Sequence, residues 1–223
     1  MKVAAFLIGA TLWLAACDDT KPAPPRVGIV LEVDGIEIRE SELGELLGYV
    51  QASGDRLGKS FAARVVLDSH ILPLRVAQRA LAPQRAELRK KAEGLRRSVM
   101  DSGGADPQLR AKGAIMDGEA SRGLVSRAGM DLAQAAWCFP PENLGLVSPV
   151  LELPRGFCVM SVSDQQPGIE LSGDLVNAYQ VPFYTHERRE FEAWWAEQKQ
   201  LLRDKLTYVN PDYVDALPPW LKR

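Results

Sequence analysis

Few side chains in this sequence are of a kind that does chemistry, and their spacing narrows the choice further. His70 and His186 are the only histidines, and neither has a second His or a Cys three or four residues away, the spacing that presents two metal ligands from one element. Cys-x-x-Cys does not occur either, so the residues imply no metal and no cofactor. Ser148 and Ser161 lie outside any Gly-x-Ser-x-Gly and lack neighbouring His and acid partners, which leaves a serine hydrolase unsupported. A Gly-x-x-x-x-Gly-Lys phosphate loop and a His-Glu-x-x-His helix are both missing. His70, beside Ile71, reads as a packed helical residue, and His186 as local capping near a helix start. The chemistry that remains rests on three cysteines, Cys17, Cys138 and Cys158.

Cys17 is the most specific of these. Met1-Lys2 and the apolar run from Val3 to Ala16 are too short to span a bilayer but have the charge, apolar centre and small-residue exit of a secretory signal. The run ends Leu14-Ala15-Ala16-Cys17, which resembles a bacterial lipobox. The resemblance implies cleavage before Cys17, diacylation of its thiol, and a membrane anchor of two or three acyl chains where one would not hold. The expected location is the cell envelope, lipid-anchored on the periplasmic side. Asp18 directly after the lipidated Cys goes with the inner membrane in enterobacterial lipoproteins. In such an oxidising compartment Cys138 and Cys158 have two readings. They form one disulfide closing a loop of about 20 residues, worth roughly 3 kcal/mol, or they are two buried free thiols.

The elements that position these residues follow from pattern. Thr20 to Arg26, with Pro22, Pro24 and Pro25, reads as a stiff spacer. Asp34-Gly35 between Leu31-Glu32-Val33 and Ile36-Glu37-Ile38 predicts a tight hairpin. Ser41 is placed to cap a helix carrying Leu43, Leu46, Leu47 and Val50 on one face. A second helix spans about 59–82, with Pro73 expected to kink or divide it. A third spans about 85–101, with Leu88, Ala92, Leu95 and Val99 on its stripe and Arg85 among the polar faces. Residues 105–129 carry little periodicity. A short helix near 130–137 precedes strand candidates at 146–153 and 157–162. A loop with Pro167-Gly168 then leads to an amphipathic helix at about 185–207, whose stripe includes Phe191, Trp194 and Trp195.

Composition excludes several classes. With 46% hydrophobic residues, 25% charged and a net charge of −2, the chain is neither a multi-span membrane protein nor a basic nucleic-acid binder. Charge is uneven: residues 75–112 hold ten Lys/Arg against four Asp/Glu, and 164–215 hold five against ten. Packing of the C-terminal helix beside the early helices, with surface charge pairs, is one reading. A basic face for anionic lipid or acidic clients is the other.

Two stretches resemble a family of envelope foldases. Val33-Asp34-Gly35-Ile36-Glu37-Ile38-Arg39-Glu40-Ser41-Glu42-Leu43 looks like the opening of the SurA/PrsA/PpiD-type chaperone domain, and the helices of 41–112 are similar to it in number and spacing. Arg122-Gly123, Gly129-Met130, Ala135-Ala136, Gly145-Leu146-Val147-Ser148-Pro149-Val150 and Gly156-Phe157-Cys158-Val159-Met160-Ser161-Val162 fall in the order of a parvulin-type peptidyl-prolyl isomerase domain. Asn210-Pro211-Asp212-Tyr213 looks like the ending of such chains.

The resemblance implies an α+β protein: a lipoprotein signal over 1–16, a linker over 17–26 and a chaperone-like helical domain over 27–112. A reduced parvulin-like domain follows over 113–166, and a C-terminal helix and tail over 167–223 pack on the chaperone domain. It implies a site of Met130, Phe139 and Phe157 around substrate, with Asp117 and Cys158 in the polar positions. Parvulin sites pair two histidines on adjacent central strands. Cys158 stands where one is expected, and residues 77–90, which read as helix, supply no other. The expected function is an anchored folding factor for unfolded exported polypeptides with weak or absent isomerase activity. An active isomerase and a structural lipoprotein of an envelope complex are the alternatives.

Overall fold

The computed structural model describes residues 26–53, 58–115, 120–167 and 174–222. Cys17, the signal segment and Asp117 lie outside the described residues. The protein is α+β. Its described residues form two small antiparallel sheets, each with its own helices.

The hairpin forms as its turn residues predict. Strands β1 (Ile29–Val33) and β2 (Ile36–Arg39) are joined by Asp34 and Gly35 at φ of 50° and 74°, the paired left-handed conformations that a two-residue hairpin requires. The other edge of β1 pairs with β7 (Leu206–Val209), whose first two residues fall at the end of the expected C-terminal helix. That helix, α7 (Arg188–Leu202), stops short of it. The reason is tertiary: Asp34 donates its N–H to Lys205 O at 3.0 Å and Asn210 donates its own to Val30 O at 2.8 Å, so the returning chain satisfies the free edge of β1. The Asn210 side chain adds a donation to Ile29 O and accepts from Asp212 N–H, fixing the turn that follows.

Helix α1 (Glu40–Ser53) starts one residue before Ser41. Its first turn is satisfied by Glu42, whose carboxylate accepts from Arg39 N–H at 2.9 Å, rather than by a Ser41 cap. The next helix meets Pro73 by widening. Helix α2 (Lys59–Val66) passes through a π turn at Leu67–Ile71 into α3 (Leu72–Ala80), with Leu72 N–H bonded to Leu67 O. A proline cannot donate to the preceding turn, and the insertion absorbs that loss without ending the rod. These helices, the first sheet, α7 and the tail to Leu221 share one core, centred on Leu31, Ile38, Leu43, Leu67 and Leu72. Trp195 enters it at 9% exposure, with Trp194 only partly buried.

The second sheet has the order β3 (Ser121–Ser126), β6 (Leu175–Tyr184), β5 (Gly156–Gln166), β4 (Leu151–Leu153). Strand β6 lies where the sequence offered only loop, yet it is central. Its buried residues change face between Ala178 and Tyr179, from the α6 side to the α4 side, which splits the alternation into two runs too short to read. Only Leu151–Leu153 of the expected 146–153 strand joins the ladder, and isolated bridges hold Leu146 and Val147. One sheet face, with Phe157, Val159, Tyr179 and Val181, is covered by α4 (Ala82–Met100) and α5 (Asp106–Gly113). The other, with Cys158, Met160, Val162 and Ala178, is covered by α6 (Leu132–Cys138) and Phe139.

The two cores therefore divide the chain differently from its sequence order. Helices α4 and α5, which the resemblance groups with residues 27–112, bury apolar residues on the second sheet, and β6, from within 167–223, is one of its two inner strands. Basic α4 lies on that sheet, while α7, with three basic and three acidic residues, packs on the first core. Arg85, expected on a polar face of its helix, is 4% exposed. Its guanidinium donates to Pro154 O, Leu153 O and Glu152 at 2.9 to 3.1 Å and stacks on Phe157, clamping α4 to the β4–β5 turn.

Candidate functional site

Where the two cores meet, Met130 stands between two cavities. One, of about 610 Å³, is walled by Tyr49, Val50 and Val65 of α1 and α2 and by Arg127, Leu132 and Ala135 from the turn before α6 and its first residues. The other, of about 410 Å³, has Pro73, Phe191 and Trp195 on one side and Gln134, Arg155, Gln180 and Tyr184 on the other. Ser69, Ala128, Met130 and Asp131 line both, so the two form one groove along the junction.

The floor of the groove is polar and internally paired. Asp131 caps α6 in a reciprocal box with Gln134, whose side-chain oxygen accepts from Asp131 N–H at 3.1 Å. Gln134 in turn donates to Gln180 Oε1 at 2.9 Å, linking the helix to β6. Arg155, in the β4–β5 turn, lies 3.9 Å from the Asp131 carboxylate and 4.0 Å above the Tyr184 ring. Burial pushes the Asp131 carboxyl above the usual carboxylate range, with Arg155 and Arg188 acting against it. At the far end Asp68 accepts from Trp220 Nε1 at 2.8 Å and pairs with Lys199, so the C-terminal tail also steadies this wall.

The residues expected from sequence fall in different places. Met130 lines the groove. Phe139 is buried beneath it, its ring under Arg127 at 4.1 Å. Phe157 points to the opposite face of the sheet, 2% exposed against α4 and Arg85, because successive residues of β5 alternate sides. It does not meet Met130. Cys158 is on the Met130 side but fully buried, and that burial pushes its thiol up to about 12. It is a protonated core residue without access to the groove. Cys138 and Cys158 are both free thiols, so the disulfide reading is corrected. Cys138 Sγ rests against Met160 Sδ at 3.6 Å in the core below α6, and burial raises its thiol as well.

Asp131, Gln134, Arg155, Tyr184 and Trp195 were not among the expected site residues. One signal was present: Asp131-Leu132-Ala133-Gln134 has the spacing of a capping box and marks the start of α6 at the groove. Arg155, Gln180 and Tyr184 reach the site only through the pairing of β5 with β6, which local pattern did not register.

The arrangement presents an apolar cavity beside a polar one. The walls of the larger cavity are mainly apolar, and the smaller one carries the amides of Gln134 and Gln180 and charges paired in place: Asp131 with Arg155, Asp68 with Lys199 and Glu192 with Arg188. Among the described residues no group of three or more His, Cys, Asp or Glu is placed to hold a metal ion, and no helix is long and apolar enough to cross a membrane. Comparison of the chain with protein-family models, with curated proteins and with solved structures finds no match.

Proposed function

We propose that this chain is a membrane-anchored extracytoplasmic folding factor that binds unfolded exported polypeptides in the groove around Met130, with weak or absent peptidyl-prolyl isomerase activity. The observation that carries it is the groove: an apolar cavity running into a smaller polar one that bears amides and paired charges, at the junction of two separately cored parts. A surface of that kind suits side chains and backbone of an extended segment. In finer terms the first core is a chaperone-type helical domain of the SurA/PrsA/PpiD kind completed by α7 and β7. The second is a reduced parvulin-like domain. The return of β7 to β1 through Asn210-Pro211-Asp212-Tyr213, and the order of α6, β4 and β5, support that assignment.

The same geometry argues for weak catalysis. Proline isomerisation faces an amide barrier of ~20 kcal/mol, lowered only by groups that favour the twisted amide over the planar one. Cys158 stands in the core instead of at such a position, and its neighbour strand β6 contains no histidine. The test measures aggregation of an unfolded client and cis–trans exchange of a Xaa-Pro peptide in one preparation. Suppressed aggregation, weakened by Met130→Ala, with little accelerated exchange is the expected result. Strong acceleration abolished by Met130→Ala promotes the isomerase, and no effect on either promotes the structural subunit. Cys17→Ser is expected to release the protein from the membrane fraction; its retention after a high-salt wash refutes the anchor.

A further inference from the structure

In the smaller cavity of the groove the carboxylate and amide oxygens are engaged, while the strongest donor is not. The Asp131 carboxylate accepts from the first turn of α6 in its capping box, and Gln134 Oε1 accepts from Asp131 N–H. Gln180 Oε1 accepts from Gln134, Asp68 from Trp220, and Glu192 from Arg188. Arg155 is different. Its guanidinium lines the cavity, yet among the described residues it donates no hydrogen bond, and the Asp131 carboxylate that it faces is 3.9 Å away. The Tyr184 ring, 4.0 Å from it, holds it in place. Gln180 Nε2 is likewise without an acceptor among those residues. The opposite wall is apolar, built from Pro73, Phe191 and Trp195.

We propose that this cavity binds a carboxylate carried on an apolar body, with the carboxylate on Arg155 and the body against Phe191 and Trp195. The site goes beyond the folding-factor reading and does not rest on it. A pocket whose open groups are donors is completed by a ligand that brings acceptors, and the planar N–H fork of arginine matches the two oxygens of a carboxylate. Arg188 and Lys199 stand closer to carboxylates of their own, Glu192 at 3.0 Å and Asp68 at 3.5 Å. Arg155 is therefore the cation most open to a ligand, which suits a monoanion better than a phosphate dianion. Asp131 shares the same guanidinium and opposes the ligand, although burial biases its carboxyl toward the neutral form. At about 410 Å³ the cavity is of small-ligand size.

The experiment titrates phenylacetate and its neutral isostere phenylacetamide into the purified protein by calorimetry, with the melting temperature of each variant. A charge-assisted fork on Arg155 predicts that the acid binds about tenfold or more tighter than the amide. Arg155→Gln should remove that difference. Asp131→Asn, which keeps a capping side chain and removes the opposing charge, should tighten the acid severalfold and leave the amide unchanged. The comparison of acid with amide in the parent needs no variant, so a folding defect in either one leaves the proposal open to refutation. A second acid, N-acetyl-Ala-Ala-Phe with its terminal carboxylate free, separates the sources: tighter binding than phenylacetate assigns the site to a chain end, and weaker binding to a free small acid. Equal binding of acid and amide overturns the proposal, as does no binding of either acid at millimolar concentration. So does displacement of phenylacetate by an equal concentration of inorganic phosphate, or an acid–amide difference that survives Arg155→Gln.

Discussion

Gly156 opens β5 at a φ of 152°, and an added Cβ there would sit 2.1 Å from the carbonyl oxygen of Phe183. It would also lie 3.1 Å from Phe183 C and Tyr184 Cα, all backbone atoms of β6, so no side chain can swing aside to make room. Gly156→Ala must therefore separate β5 from β6 where Gly156 pairs with Tyr184. The same shift disturbs Arg155, whose carbonyl accepts from Thr185 N–H at 2.8 Å and whose guanidinium lies on Tyr184. A non-glycine residue in that backbone region costs about 1–3 kcal/mol, and overpacking adds about 1–3 kcal/mol. A loss of about 4 kcal/mol is a large share of a typical stability of about 5–15 kcal/mol. It corresponds to a melting temperature lower by roughly 8–16 °C for a chain of this size. Gly145→Ala is the control: its φ is 80° but nothing lies within 4 Å of its added Cβ, so only the backbone cost of about 1–2 kcal/mol applies. Urea and thermal melts of both variants decide the matter. Equal losses, or less than about 1 kcal/mol at Gly156, would refute the close approach of β5 and β6 and with it the position of Arg155 at the groove.

Trp195→Ala should cost about 3–5 kcal/mol, against much less for the partly buried Trp194→Ala, because the ring packs edge-on against Trp220 inside the first core. Parent-like melting of Trp195→Ala would sink that packing. His70 is 4% exposed with no partner for Nδ1, and burial pulls it down to about 4 from 6.5. Unfolded chains then bind the extra proton first, so stability is full above about pH 6.5 and falls toward pH 4 by up to about 3 kcal/mol. His70→Phe should flatten this slope in melts run across that range, and an unchanged slope would assign it to other groups. Burial raises the thiols of Cys138 and Cys158, so both should resist pulsed alkylation at pH 8 until denaturant is added. Labelling in the native state, or a disulfide found by mass spectrometry, would contradict the two-thiol core.

Sequence alone determined those features that depend on neighbours along the chain. The Asp34-Gly35 hairpin is legible because two consecutive positive φ values need that residue pair, and α1, α4 and α7 are legible because a helix closes its own hydrogen bonds. Met130, named through the resemblance rather than through local pattern, lines both cavities. Whatever depends on a partner far along the chain was decided only in three dimensions. Strand β6 has a broken alternation because helices cover both faces of its sheet and its buried residues pass from one face to the other at Ala178 and Tyr179. Strand β7 ends a helical stripe early because the open edge of β1, about 175 residues earlier, offers the bonds it takes. Arg85 reads as a surface cation until the carbonyls of Leu153 and Pro154 are brought to it. The groove follows the same rule: its floor is assembled by β5 meeting β6, its aromatic wall by α7 returning to the first core, and the bond between its two sides by Arg127 finding Tyr49, 78 positions back along the chain. A side chain carries its chemistry in its own structure, but a site is a set of distances, and those were set by which surfaces the chain could bury together.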